Sequence, residues 1–176
     1  MRRESGYTLF ELLMTVALAA LLLFVGVPSL GKIAADNELR AQIDPLFHAI
    51  HLARKESIMR REVITLCPSV DGELCSNGTD WSAGWQMFVN RDRDHPAQRD
   101  DGEIVLRRHA GNDRVRIVAN RRSFTLRATQ RRATNGTFIF CDRGGRISSR
   151  ALIVSYTGRP RVARQTRDGE TYRCKD

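Results

Sequence analysis

The stretch that decides the fold is Gly6-Tyr7-Thr8-Leu9-Phe10-Glu11-Leu12-Leu13, which runs on through Val16-Ala17-Leu18 to Val27-Pro28-Ser29-Leu30. From Tyr7 to Leu30 it measures 24 residues, and a helix needs about 20 apolar residues to span a bilayer. Between Leu12 and Val27 only Thr15 is polar. Residues 1–6, Met-Arg-Arg-Glu-Ser-Gly, are short and charged and read as a leader. An ordinary secretory signal carries its small-residue cleavage site after the apolar stretch; here Gly6 precedes it, and no convincing Ala-x-Ala follows. Arg2 and Arg3 ahead of the run are expected to keep the N-terminus cytoplasmic and send the remainder outside.

Glu11 does not suit a plain anchor. An uncompensated carboxylate costs about 2.5–3.5 kcal/mol at mid-membrane, and such a residue asks for a partner. Cleavage after Gly6 frees the amino group of Tyr7 in the same apolar layer, so the amine of a neighbouring copy is a natural counter-ion. Gly6-Tyr7-Thr8-Leu9-Phe10-Glu11-Leu12 resembles the class III prepilin signature, a Gly followed by Phe-Thr-Leu-x-Glu-Leu, with Tyr7 in place of the usual Phe. The resemblance implies cleavage of the Gly6–Tyr7 bond by a prepilin peptidase, N-methylation of Tyr7, and use of Glu11 in docking subunits. It also implies a single-pass protein of the bacterial inner membrane, its head in the periplasm, incorporated with other pilins into a pilus or pseudopilus at the cell surface.

Beyond Leu30 the helical pattern continues as an amphipathic half, residues 31–61. Leu39, Ile43, Leu46, Phe47 and Ile50 recur at three- and four-residue steps and form one apolar stripe. Pro28 with Gly31, and Pro45, are expected to bend the helix, because Pro removes a backbone donor and clashes one turn back. His48 and His51 are three apart but lack further ligands, so surface histidines are the better reading than a metal pair.

From Glu62 the period changes to two. Val63–Leu66, Trp85–Val89, Glu103–Leu106, Val115–Val118, Phe124–Leu126, Thr137–Phe140 and Leu152–Tyr156 read as short strands separated by turn residues. Short strands on tight turns imply antiparallel sheet packed on the amphipathic helix. The fold class expected is therefore α+β, with a long N-terminal pilin helix packed against a β-rich head over residues 62–176. In the loop at 90–102, oxygen ligands hint at calcium. His95-Pro96 stands where an EF-hand needs Gly, however, and the interleaved arginines repel a cation.

Cys67, Cys75, Cys141 and Cys174 all follow the membrane segment, and their even number suits two bridges in an oxidising compartment. Three pairings are open. Cys67–Cys75, closing a turn-rich loop, and Cys141–Cys174, tying down the tail, are favoured. Zinc is disfavoured because no Cys-x-x-Cys occurs and no His neighbours a cysteine. No paired-carboxylate, Ser-His-Asp or Cys-His constellation stands out, so an enzyme is not expected, nor a cofactor.

The charge is lopsided. Residues 1–100 carry 11 Lys+Arg against 13 Asp+Glu, whereas residues 101–176 carry 18 against 7, and 17 of those 18 cations are Arg. Arg binds phosphate through a planar fork of donors. An Arg-rich composition by itself has the bland alternative of a solvated surface. Leu52–Ile58, Val63–Cys67, Asp71-Gly72, Cys75, and Trp81 with Gly84-Trp85 look like the FimT/GspH group of minor pilins and pseudopilins. Trp81 and Trp85 read as aromatics packed over a tight turn rather than as ligand contacts. Thr157-Gly158-Arg159-Pro160-Arg161 resembles the Gly-Arg-x-Arg signature of FimT-type pilins, a branch that includes DNA receptors for natural transformation. Gly158 permits a turn, Pro160 keeps the chain extended, and Arg159 and Arg161 then project to one side. Arg143, Arg146, Arg150 and Arg164 are expected to enlarge the patch. Few exposed aromatics are expected near Gly158. The function expected is a minor pilin that binds the DNA phosphate backbone without sequence preference, for uptake in transformation. The alternative is a structural minor pseudopilin of a type II secretion system, or an initiator of pilus assembly, without DNA binding.

Overall fold

Thr8 starts the helix. Its backbone is extended, its Oγ1 accepts from the Glu11 N–H, and the Glu11 carboxylate accepts from the Thr8 N–H in return, a reciprocal capping box. From there α1 runs without interruption over Leu9–Arg60, a length of about 78 Å at 1.5 Å per residue. The computed structural model describes residues 6, 8–128 and 133–174. Pro28 and Pro45 both lie inside α1, and neither ends it. The helix stops at Arg61, which takes the left-handed conformation at φ 57°.

The two halves of α1 meet different surroundings. An 18-residue apolar window near its N-terminus has mean hydropathy 2.4, and none of it is buried against the head. It is long and apolar enough to cross a membrane. Further on, Ala35, Leu39, Ile43, Leu46, Ala49, Ile50 and Ala53 are buried at the helical period. Phe47, expected on that stripe, is only partly buried; the rings of His48 and His51 pack edge-on against it.

The head contains two four-stranded antiparallel sheets. The first has β1 (Val63–Pro68), β2 (Gly84–Asn90), β3 (Val105–Ala110) and β5 (Phe124–Leu126) in the order β3-β2-β1-β5. The second has β4 (Val115–Ala119), β6 (Gly136–Asp142), β7 (Arg150–Val154) and β8 (Pro160–Ala163) in the order β4-β6-β7-β8. The buried stripe of α1 packs against strands of both. Every residue of β1 and β2 is buried, because the second face of that pair is covered by a small cluster of Cys67, Cys75, Phe88 and Ala97. Strands β4 and β6 alternate buried and half-buried positions, as a sheet with one covered face does. Cys67 is bonded to Cys75 and Cys141 to Cys174. The first bridge holds the loop that covers β1 and β2; the second holds the C-terminal segment to β6.

Three strand assignments need correction. The expected strand at Glu103–Leu106 begins later, at Val105, because the buried Glu103 carboxylate is a loop anchor that accepts the N–H groups of Arg91 at 2.6 Å and Asp100 at 3.1 Å. The strand expected to reach Tyr156 ends at Val154, where the turn beginning at Ser155 takes over. Strand β8 was not expected. It opens on Pro160 at a sheet edge, the place where a missing N–H breaks no ladder. In the loop at 90–102 the carboxylates cap backbone and amide donors: Asp94 accepts from Asn90 and from the Gln98 N–H.

Candidate nucleic-acid interface

The Gly-Arg-x-Arg segment begins in a tight turn. The Gly158 N–H donates to the Ser155 carbonyl at 2.9 Å, and the Ser155 N–H donates to the Arg159 carbonyl at 3.1 Å. The Arg159 N–H donates to Ser155 Oγ at 3.2 Å. Gly158 is buried with φ +70°, a conformation that costs a residue bearing Cβ about 1–2 kcal/mol. A Cβ there would lie 3.1 Å from Leu126 Cδ2 and 3.6 Å from Arg54 Nη1. The turn is thus wedged between β5 and the C-terminal part of α1.

Beyond it, β8 is an edge strand that pairs, among the described residues, with β7 alone, Pro160 opposite Val154 and Arg161 opposite Ile153. Pro160 is buried while Arg159 and Arg161 are exposed. No ion pair among the described residues involves either arginine. One aromatic stands at the same turn: Tyr156 is 55% exposed.

The other arginines of the expected patch are placed differently. Arg146 grips Asp142 with two donors, Nε to Oδ2 at 3.1 Å and Nη2 to Oδ1 at 2.9 Å, and also reaches Glu38 at 3.6 Å. Arg150 pairs with Asp36, and Arg114 with Glu38. These contacts form a clasp between the second sheet and α1, and in it the acids neutralise Arg146 and Arg150. The Arg146 side-chain hydrogen bond, with the N–H groups of Arg146 and Gly144 behind it, holds the Asp142 carboxyl down at about 2 despite its burial. On α1, Asp36 and Arg54 are 18 residues apart, about 27 Å along the helix, whereas on β7 Arg150 lies only about 13 Å along the strand from Val154, the partner of Pro160. Arg164 is exposed and lines a cavity of about 750 Å³ with Lys32, Asp36 and Arg150, on the clasp side. Arg143 is exposed, with Asp80 in its field. Arg159 and Arg161 therefore stand together and exposed, whereas Arg146 and Arg150 are committed to the acids of the clasp.

Sequence reading missed the clasp acids and Arg114. No local spacing signalled it: Asp142 ends β6 and Arg146 lies in the turn that follows, and the other contacts join residues far apart in sequence. Trp81 and Trp85 are both buried. Trp81 meets Phe124 and Phe138 edge-on. Trp85 stacks on His109, whose Nε2 is 3.2 Å from Gln42 Oε1. Burial, assisted by Arg107, pushes the His109 imidazole below its ordinary value. Gly84 between the tryptophans has φ +140°, and a Cβ there would meet the His109 carbonyl at 2.5 Å.

At the N-terminus Gly6 is exposed. The Glu11 carboxylate accepts from the Thr8 N–H at 2.9 Å and from Thr8 Oγ1 at 3.0 Å. Residues 1–5 and Tyr7, the expected site of N-methylation, lie outside the described residues.

Comparison with known proteins places this architecture. The model of the family described as "Type II transport protein GspH" matches residues 42–158. The chain belongs to the GspH family. The match covers the amphipathic half of α1 from Gln42 and the sheets as far as Gly158, and ends one residue short of Arg159. Among solved structures, the type IV minor pilin FimU of Pseudomonas aeruginosa is similar with a TM-score of 0.54 and 23% identity, over 73% of this chain and 90% of that one. The minor pseudopilin EpsH of the type 2 secretion system of Vibrio cholerae is similar with a TM-score of 0.50 and 10% identity, over 72% and 96% of the two chains. No curated protein sequence matches the chain. The fold of this GspH-family protein is thus pilin-like, one long helix carrying a head of antiparallel sheets.

Proposed function

We propose that this GspH-family chain is a minor pilin whose head binds extracellular DNA through the phosphate backbone for uptake in transformation. In this reading residues 1–6 are the leader removed by prepilin peptidase, residues 7–30 the membrane and fibre-core segment, 31–61 the amphipathic half of the helix, and 62–176 the periplasmic head. The observation that carries the DNA reading is the pair Arg159 and Arg161. Both are exposed at the start of an edge strand, held there by a buried Gly158 turn, and unmatched by any carboxylate of the described residues. Guanidinium forks so placed suit phosphate oxygens. Phosphate contacts carry no sequence information. Tyr156 adds a ring at the same turn on which a base can stack.

The test compares two variants of the mature chain in uncharged detergent by fluorescence anisotropy. R159A/R161A should weaken binding equally for several unrelated DNA sequences. R60A/R91A removes the same charge where Glu56 and Glu62 already pair with it, and should change little. Equal weakening by both variants would reduce the effect to net charge. A second reading, a structural pseudopilin without DNA binding, draws on the clasp, which commits Arg146 and Arg150 to the architecture of the head; it becomes the better reading if neither variant matters.

A further inference from the structure

A second basic surface adjoins the Gly158 turn, contributed by loops far apart in sequence. Arg93, Arg121, Arg122 and Arg127 line one cleft of about 460 Å³, with Ser123 and Thr125 between them. Its one carboxylate is that of Asp94, already occupied by Asn90 and by the Gln98 N–H. The cleft therefore carries an excess of about three positive charges at neutral pH. Two of the guanidiniums are held by neutral acceptors that leave their charge intact: Arg121 Nε donates to the Asn135 carbonyl at 3.2 Å and Arg122 Nη1 to Asn77 Oδ1 at 3.0 Å. For Arg127 there is no hydrogen bond or ion pair with a described residue.

The cleft and the turn share a wall. The Ala133 N–H donates to the Tyr156 carbonyl on the turn side, and the Thr134 N–H donates to the Thr125 carbonyl on the cleft side. Leu126, against which Gly158 packs, immediately precedes Arg127. Arg54 reaches the same turn from α1. Cationic groups thus succeed one another from β8 across the turn into the cleft, without a carboxylate pairing either Arg159 or Arg161 on the way.

We infer that this cleft is a second phosphate-binding site, and that one DNA strand passes from Arg159 and Arg161 over the Gly158 turn into it. The inference rests on the DNA-binding reading above and extends it to residues 93, 121, 122 and 127. Two sites on one strand anchor it at successive phosphates, so the chain should grip DNA more tightly than either site alone. The Ser123 hydroxyl on the cleft wall adds a neutral donor to phosphate oxygens, while Thr125 Oγ1 is 3.3 Å from Thr65 Oγ1.

The experiment measures DNA binding by the full mature chain in uncharged detergent over a range of salt. R121A/R122A/R127A should weaken binding. It should also flatten the plot of log K against log salt by about 0.9 per lost contact on duplex DNA, or about 0.7 on a single strand. Because Arg121 and Arg122 hold loop acceptors, R127E alone provides a variant that leaves those bonds in place, and it should weaken binding as well. Wild-type slope and affinity in both variants, with R159A/R161A impaired, would overturn the cleft and leave the turn as the binding site. If the wild-type chain binds no DNA, the receptor reading fails. The cleft is then judged by titrating inorganic tripolyphosphate and following backbone amide resonances. Shifts at Ser123 and Thr125 that R127E abolishes support a polyanion site, and their absence in the wild type overturns it.

Discussion

Replacing Gly158 by Ala should loosen the turn that presents Arg159, and the structure sets the magnitude. At φ +70° the added Cβ brings the left-handed penalty of about 1–2 kcal/mol. It also lands 3.1 Å from Leu126 Cδ2, so that buried side chain must give by a few tenths of an ångström. Overpacking of this kind costs about 1–3 kcal/mol, and the two together come to about 2–5 kcal/mol. Gly102→Ala is the internal reference. Its φ is +88°, but nothing lies within 4 Å of a Cβ there, so it should show the backbone penalty alone. Urea unfolding followed by the fluorescence of buried Trp81 and Trp85 reads both. With a slope of about 1–3 kcal/mol per molar urea, Gly158→Ala should lower the midpoint by roughly 1 M or more, and clearly beyond Gly102→Ala. Equal midpoints for the two variants would refute the claim that packing against Leu126 fixes the turn.

Trp81→Ala, which empties the ring contacts with Phe124 and Phe138, should cost about 3–5 kcal/mol in the same assay. Asp142 titrates at about 2 in the folded head against an ordinary 3.8, so its contribution to stability is complete above pH 3.8 and disappears as the pH falls toward 2. Arg146→Ala should flatten that acid limb of the stability curve. His109, pushed down by burial, works at higher pH: stability should be full above 6.5 and decline below it, and His109→Gln should remove that slope. At the N-terminus, intact mass should show residues 1–6 lost and one methyl gained, whereas a terminus after residue 25 would mean an ordinary signal peptide. Glu11→Ala should leave that processing intact but reduce incorporation into fibres, scored by sheared-fibre recovery.

The parts of the fold governed by local periodicity were legible in the sequence. The stripe of Leu39, Ile43, Leu46 and Ile50 is helical by spacing, and the alternation in β4 and β6 marks one covered face. Where a residue's role depends on a partner far along the chain, the pattern was silent. Glu103 has strand neighbours, yet its carboxylate anchors a loop through Arg91 and Asp100. Pro160 argues against a strand until β7 supplies an edge for it. The candidate site divides the same way. Arg159 and Arg161 are neighbours and were read together. The commitment of Arg150 to Asp36 spans 114 residues, and the cleft arginines come from three separate connections, β2–β3, β4–β5 and β5–β6, so neither arrangement could be read before the chain was folded.

The central claim is that the head binds DNA through its phosphates, and the salt dependence of binding by the wild-type mature chain tests it most directly. The plot of log K against log salt on duplex DNA should have a slope of about −1.8 or steeper, the value for two phosphate contacts, with affinities alike across unrelated sequences. No binding at low salt, or binding with a slope near zero, would contradict it.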